Sequence, residues 1–523
     1  MTSVSGVSAA PRAPGESRAA FAWLVRADPG RQTAVIIGAF TLWRLILAFA
    51  AGPGTDEAYS ISVSRELALS YFDHPPLHYW IAHAEGLVLG FGRADRLAFI
   101  ALFAGTSWLM FALTRRLFGA AAGVWACLGL SLSPFFTLAA GSWVLPDGPL
   151  DAFLTAAALA LAAGWFGEGS PHELPLRSWL LTGVLIGLAG LSKYHAALFC
   201  AGLALFLVTT PRWRELARPG PWLAALVVLA VLAPVLVWNA QHHWASITFQ
   251  CARGAPSHLS LVGPLIELAG QAGLLTPWVA APLVLAGWRA LRAGPADERR
   301  WLCLMLAAPP IILFTLTPLQ GVKALPHWPM SGWLMLFPLL GELMARVAAT
   351  RAWPKWWAAA GAMAVVVLGA AYVADAQTGF VWAVSGGRLT DPSRETIDWA
   401  PVRDELARRG LFDGPDQFLA APIWSDAGKL DLALRGRRRV VVLSRDSRQY
   451  GYRVDPAALV GQDVIIVGRK DILGQRLPEL SGYFRSVDVL APDWLGRPGL
   501  REMQITIVHA HGLLRPYPWL SRQ

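Results

Sequence analysis

The sequence predicts a polytopic α-helical membrane protein with a small α/β domain at its C-terminal end. Three observations lead there. Of 523 residues, 55% are hydrophobic and 15% charged, whereas a soluble domain carries about 25% charged residues. The charges are unevenly spread, with 38 in the last 148 positions and 42 in the first 375. Apolar stretches near the ~20 residues that a bilayer core requires recur through those first 375 positions. This pattern excludes a disordered chain, a secreted disulfide mini-protein and an ordinary soluble enzyme.

Eleven membrane spans are expected, at roughly 33–52, 97–114, 119–139, 149–166, 178–191, 194–210, 221–240, 263–288, 301–317, 328–345 and 355–374. The stretch 178–210 is interrupted by Ser192-Lys193-Tyr194-His195 and reads as two short helices. The first 30 residues lack an apolar core, so no cleavable leader is expected. The domain reading is a cytoplasmic N-terminal segment 1–32, a transmembrane domain 33–375 with its first outer loop at about 53–96, and a soluble domain 376–523. Within the last, 437–443, 463–467 and 503–509 read as strands and 399–409 and 425–435 as helices.

Arginine and lysine set the orientation. With the N-terminus in the cytoplasm, seventeen basic residues fall on cytoplasmic segments and six on outer ones. The C-terminal domain then lies outside, which in a bacterium is the periplasmic face of the inner membrane. The net charge of +10 is explained by these loops, and no nucleic acid is implied. The four cysteines have neither zinc-ligand nor disulfide-framework spacing.

The residues left unexplained by orientation or solubility gather in the outer loops. Asp56 and Glu57 follow the first span directly, and Tyr71-Phe72-Asp73-His74-Pro75-Pro76 follows in the same loop. A carboxylate there can act as a general base or bind a cation, and the adjacent imidazole can move a proton or bind a metal. Asp56 and Glu57 also suit the first turn of an interfacial helix. The later outer loops add Asp147, Lys193, Asn239, His243, Lys323 and His327. Cations at headgroup depth point to a lipidic, phosphate-bearing substrate.

Together these segments resemble the GT-C superfamily of membrane glycosyltransferases. The match is to glycosyltransferase family 39, the protein O-mannosyltransferases, and their bacterial aminoarabinose-transferase relatives. The resemblance rests on Asp56-Glu57-Ala58-Tyr59, Tyr71-Phe72-Asp73-His74-Pro75-Pro76-Leu77, Leu145-Pro146-Asp147-Gly148-Pro149-Leu150 and Gly187-Leu188-Ala189-Gly190-Leu191-Ser192-Lys193. It implies inverting transfer of a sugar from a polyprenyl-phosphate carrier to an envelope acceptor: lipid A or lipopolysaccharide, another glycan or lipid, or protein. Asp56 is expected as the catalytic base, with Glu57 and Asp73 beside it. Lys193, with His74, Lys323 and His327, is expected on the donor phosphate. Tyr59, Asp147, Asn239 and His243 are expected toward acceptor or sugar. No obligate cofactor is implied, and Asp56 with Asp73 is the candidate pair for a divalent ion.

One departure stands out. Aminoarabinose transferases typically carry Glu-Lys where this chain has Asp73-His74, so a permanent cation is replaced by a titratable one. That argues against a simple aminoarabinose assignment. The competing reading is a transporter or lipid flippase with an outer ligand-binding domain. Such proteins place charge near the bilayer midplane and show internal repeats; here Arg44 alone lies near the middle of an expected span, and no repeat is visible.

Overall fold

The computed structural model describes residues 28–167, 173–411 and 417–519. The expected N-terminal segment 1–32 lies almost wholly outside these residues. Five helices are long and apolar enough to cross a bilayer: Pro29–Ala50, Arg93–Phe118, Asp147–Trp165, Glu298–Gln320 and Trp353–Thr378. Four further pairs qualify if each bent pair counts as one span, giving up to nine among the described residues.

Of the eleven expected, 178–191 is a shorter apolar helix and 328–345 is divided, while four others bend at a break marked by proline. It lacks an N–H and disfavours helix in the preceding residue. Pro134, Pro211, Pro234 and Pro277 sit at the four breaks, where the halves bend by 88°, 112°, 52° and 110° respectively. The expected span 328–345 is divided into Met330–Leu334 and Phe337–Ala348. The stretch 178–210 does form two helices, Leu176–Ser192 and Ala196–Thr209, separated at Lys193–His195. The helical part holds one large apolar core, to which Phe103, Phe136, Leu154, Phe206 and Phe337 belong.

The C-terminal domain is built on a sheet of six strands. These are β1 (Gln417–Ala421), β2 (Val440–Val442), β3 (Asp463–Arg469), β4 (Phe484–Val489), β5 (Asp493–Leu495) and β6 (Met503–Leu513). Their order is β2-β1-β3-β6-β4, with β5 also on β6. The β2-β1-β3 half is parallel and β6 pairs antiparallel with its neighbours. Helices Ala400–Arg408 and Trp424–Ala433 fall where the sequence places them.

This domain does not stand apart from the first outer loop. Tyr59, Val63, Tyr71 and Tyr79 of the loop share one apolar core with Leu419, Leu430, Ile465 and Ile505. Helix Trp424–Ala433 lies so close to helix Thr55–Ser64 that a Cβ on Gly428 would stand 2.7 Å from the Tyr59 nitrogen. Only a residue without a side chain permits that approach. Arg497 fixes the other junction. Its Nη2 lies 2.5 Å from Asp391 Oδ2, and its Nη1 donates to the Asp375 carbonyl at the end of the last long helix.

Candidate active site

The helix Thr55–Ser64 carries Asp56 and Glu57 in its first turn, where carboxylates complement the free N–H groups and the helix dipole. The two have opposite fates. Glu57 accepts from the Gly54 N–H at 3.1 Å and from the Val144 N–H at 3.2 Å. It also forms a bidentate pair with Arg96, at 2.8 and 2.5 Å. Arg96 gives its remaining N–H groups to the carbonyls of Ala48, Ala51 and Gly52. All five guanidinium donors are thus satisfied, and the pair locks the end of the first long helix to the loop. Glu57, expected beside the catalytic base, presents no free oxygen to a substrate.

Asp56 points the other way. Among the described residues its carboxylate has no hydrogen bond and no ion pair. It is open to solvent on one side and walled by protein on the others, lining a cleft of about 410 Å³ with Glu395, Trp424, Lys429 and Arg469. Desolvation raises its pKa; Arg448 opposes the rise, and Glu395, Asp73 and Glu57 add to it. The segment before it is tied down from the C-terminal domain. Lys429 donates to the carbonyls of Pro53 and Glu395 at 2.9 and 2.7 Å, and burial pushes its pKa down to about 8.

Asp73 is buried at the centre of a polar web. Its Oδ1 accepts from the Tyr59 hydroxyl at 2.7 Å and from the Tyr79 hydroxyl at 3.3 Å. Its Oδ2 faces Arg448 Nη1 at 3.4 Å, and Gln250 donates to its carbonyl at 2.6 Å. Tyr59, expected toward acceptor or sugar, is committed here instead: its ring packs edge-on against Trp424 and Tyr450. The pair Asp56–Asp73 does not fit a divalent ion. Both Asp73 oxygens are engaged, one of them by a cation, and neither residue belongs to a cluster of three metal-ligating groups among the described residues.

A second group forms where two of the motifs meet. Ser192 donates to the Pro146 carbonyl at 2.7 Å, and Lys193 Nζ meets Asp147 Oδ1 at 2.8 Å with both side chains buried. Around this pair stand His74 and His327, each pushed down to about 4 by burial and by nearby cations, Lys193 foremost. Both imidazoles are therefore neutral at physiological pH. The titratable residue at position 74 thus brings no positive charge to this group.

Positive charge comes instead from two arginines that were not among the expected site residues. Arg448, in the C-terminal domain, has a positive φ of 50°, a conformation that costs a non-glycine residue about 1–3 kcal/mol and tends to persist at functional sites. Its guanidinium lies over Trp424 at 4.1 Å and over Phe249 at 5.6 Å. Arg253, at the end of helix Ala245–Arg253, lies over Trp328 at 4.8 Å and over the same Phe249 at 5.7 Å. Desolvation and the charge of Arg448 lower the Arg253 pKa. Two like charges sharing one ring repel each other, and an anion between them would relieve this. The hint in the sequence is Phe249 four residues before Arg253; nothing local marks Arg448.

The remaining expected residues fall outside this arrangement. Asn239 is buried beside the Tyr194 hydroxyl and donates to the Val235 carbonyl. His243 is exposed in a left-handed turn with φ 53°. Lys323 is exposed on its loop and takes part in none of these contacts.

A helical membrane body with its polar groups at loop depth, closed over by a small α/β domain, is an arrangement this chain shares with solved structures. The chain aligns with ArnT from Cupriavidus metallidurans in the apo state at a TM-score of 0.62 and 17% identity, covering 94% of this chain and 98% of that one. The same protein bound to undecaprenyl phosphate aligns at 0.61 and 17% identity, covering 92% and 98%. Residues 73–238 match the family model described as dolichyl-phosphate-mannose-protein mannosyltransferase. No curated protein sequence matches the chain. The resemblance read from the motifs is thus borne out, and the protein is a multi-pass membrane protein with the ArnT fold.

Proposed function

We propose that the protein transfers a sugar from a polyprenyl-phosphate donor to an envelope acceptor at the periplasmic face of the bacterial inner membrane, with inversion. The observation that carries this reading is the unpaired Asp56 carboxylate facing a site whose cations, Arg448 and Arg253, share the Phe249 ring. The undecaprenyl phosphate in the solved ArnT complex supports the class of donor.

In this reading the acceptor O–H or N–H is held at Asp56, which takes its proton. The acceptor atom forms a bond to the anomeric carbon from the face opposite the phosphate. The carbon–oxygen bond to phosphate breaks, and its electron pair leaves on the lipid phosphate. Charge grows on that phosphate as the bond breaks, and stabilising it is usually the larger part of catalysis. Arg448 and Arg253 supply fixed charge there, with Lys193 behind them. Asp56 is a better base for its raised pKa. Asp73 is a positioning residue that orients Arg448, and Glu57 is one that fixes the helix carrying Asp56.

The test is mass spectrometry of envelope lipids, glycans and proteins from a deletion strain and its complemented parent. A sugar-sized mass lost on deletion and restored by the intact gene supports the proposal and identifies sugar and acceptor. Identical envelopes, with the lipid-linked sugar pool also unchanged, contradict it.

A further inference from the structure

The outer end of the C-terminal sheet carries a group of side chains that no part of the transfer reaction uses. Along one face of β6, alternate residues run Met503, Ile505, Ile507, His509 and His511. The first three belong to the core shared with the membrane part. Strand alternation would continue that apolar row, yet its last two places are histidines. Their neighbours on the flanking strands are carboxylates. Asp488 of β4 stands directly opposite His509. On β3, Val464 pairs with Ala510, which sets Asp463 opposite His511.

Directly opposite residues in an antiparallel pair share a face with their Cβ atoms about 5 Å apart, so the four side chains converge. His511 Nδ1 lies 2.8 Å from Asp463 Oδ2, and His511 Nε2 lies 3.2 Å from Asp488 Oδ2. His509 Nε2 lies 3.5 Å from the same Asp463 oxygen. Ligand atoms of Asp463, His509 and His511 all fall within 4.8 Å of one another, and no other such cluster occurs among the described residues.

We propose that Asp463, His509 and His511 bind a zinc ion that ties β3 to β6, with water in the fourth position and Asp488 of β4 holding the outward Nε2 of His511. A hydrogen-bonded Asp463–His511–Asp488 trio would be complete without His509. That leaves His509 Nε2 enclosed, without a hydrogen-bond partner and aimed at the cluster. An ion uses that nitrogen. Zinc holds imidazole nitrogen and carboxylate oxygen at about 2.0–2.2 Å in a tetrahedron, which places its ligand atoms roughly 3.4 Å apart; the His509–Asp463 separation already matches. Asp463 is also pre-oriented, because the Gly512 N–H donates to its other oxygen at 2.8 Å. Such outer hydrogen bonds commonly fix a metal ligand. Two imidazole nitrogens, one carboxylate oxygen and a water, without sulfur, suit zinc among abundant divalent ions, with copper(II) the competitor expected from the affinity order.

The test is zinc binding by the purified full-length protein in detergent, measured by competition with a chromophoric chelator and by zinc X-ray absorption. The wild type should bind one zinc per chain in a nitrogen- and oxygen-only shell with two imidazoles, and its Tm should rise with zinc. His509→Gln and His511→Gln should each weaken binding about tenfold or more, and the double variant should lose both the binding and the zinc-dependent rise in Tm while melting cooperatively without metal. Absence of a tight site in the wild type overturns the proposal. So does unchanged binding in the double variant, or loss of binding only on His74→Gln, which would place the ion in the membrane-side cluster.

Discussion

Arg448 of the C-terminal domain meets Asp73 of the first outer loop at 3.4 Å, across 375 positions of sequence. The contact makes the soluble domain a wall of the candidate active site. Its strained backbone and its position over Trp424, which lines the Asp56 cleft, hold the guanidinium against Asp73.

Replacing Arg448 should therefore act on chemistry more than on folding. Arg448→Gln is expected to lower kcat for sugar transfer by about 10²–10³-fold, the usual effect of removing one donor to developing charge. Arg448→Lys should recover only part, because a point charge lacks the planar fork. Steady-state transfer rates at equal protein level check this, and unaltered kcat in Arg448→Gln removes the residue from the mechanism.

The pH profile offers a second check. Asp56 must be ionised to accept a proton, so activity falls as pH drops through its pKa. Burial raises that pKa, so the acid limb should lie above the ordinary carboxylate value of about 4. Arg448 lowers the pKa of Asp56, so Arg448→Gln should move the limb to still higher pH. His74 and His327, at about 4, should add no limb near the ordinary histidine value. Rates measured across pH in wild type and variant give both answers.

Glu57 and Arg96 should behave as a structural pair. Both side chains are buried and fully bonded, and removing one partner leaves the other charged in a dry site at about 3–5 kcal/mol. Glu57→Gln and Arg96→Ala should reduce the amount of folded protein in the membrane. Full accumulation with normal Tm would show the pair to be dispensable for folding.

How far the sequence reached depends on the range of the interactions. Hydropathy located nearly every apolar segment, since it depends on composition within a window. It could not register the bends at Pro134 and Pro277, which turn the single segments 119–139 and 263–288 into broken ones. The meeting of Asp147 with Lys193 was foreshadowed because both lie in motifs that the chain places at one membrane face. The division of labour between Asp56 and Glu57 was hidden, because it depends on Arg96, 39 positions away. Arg448 was hidden more deeply. Its neighbours Arg437, Arg438, Arg439 and Arg445 make it one of many basic residues in a soluble domain, and only the fold separates it from them. The shared core of loop and domain also escaped notice, since Tyr59 reads equally well as a substrate-facing aromatic.

The base of the proposed transfer is Asp56. This role is tested most directly by complementing a deletion strain with wild type or Asp56→Asn, matched for membrane protein level, and measuring the envelope modification by mass spectrometry. The substitution keeps the side-chain shape and removes only the proton-accepting charge. Loss of a general base costs about 10²–10⁴-fold, so the variant should accumulate normally and fail to restore the missing mass. Restoration at the wild-type rate would contradict the account.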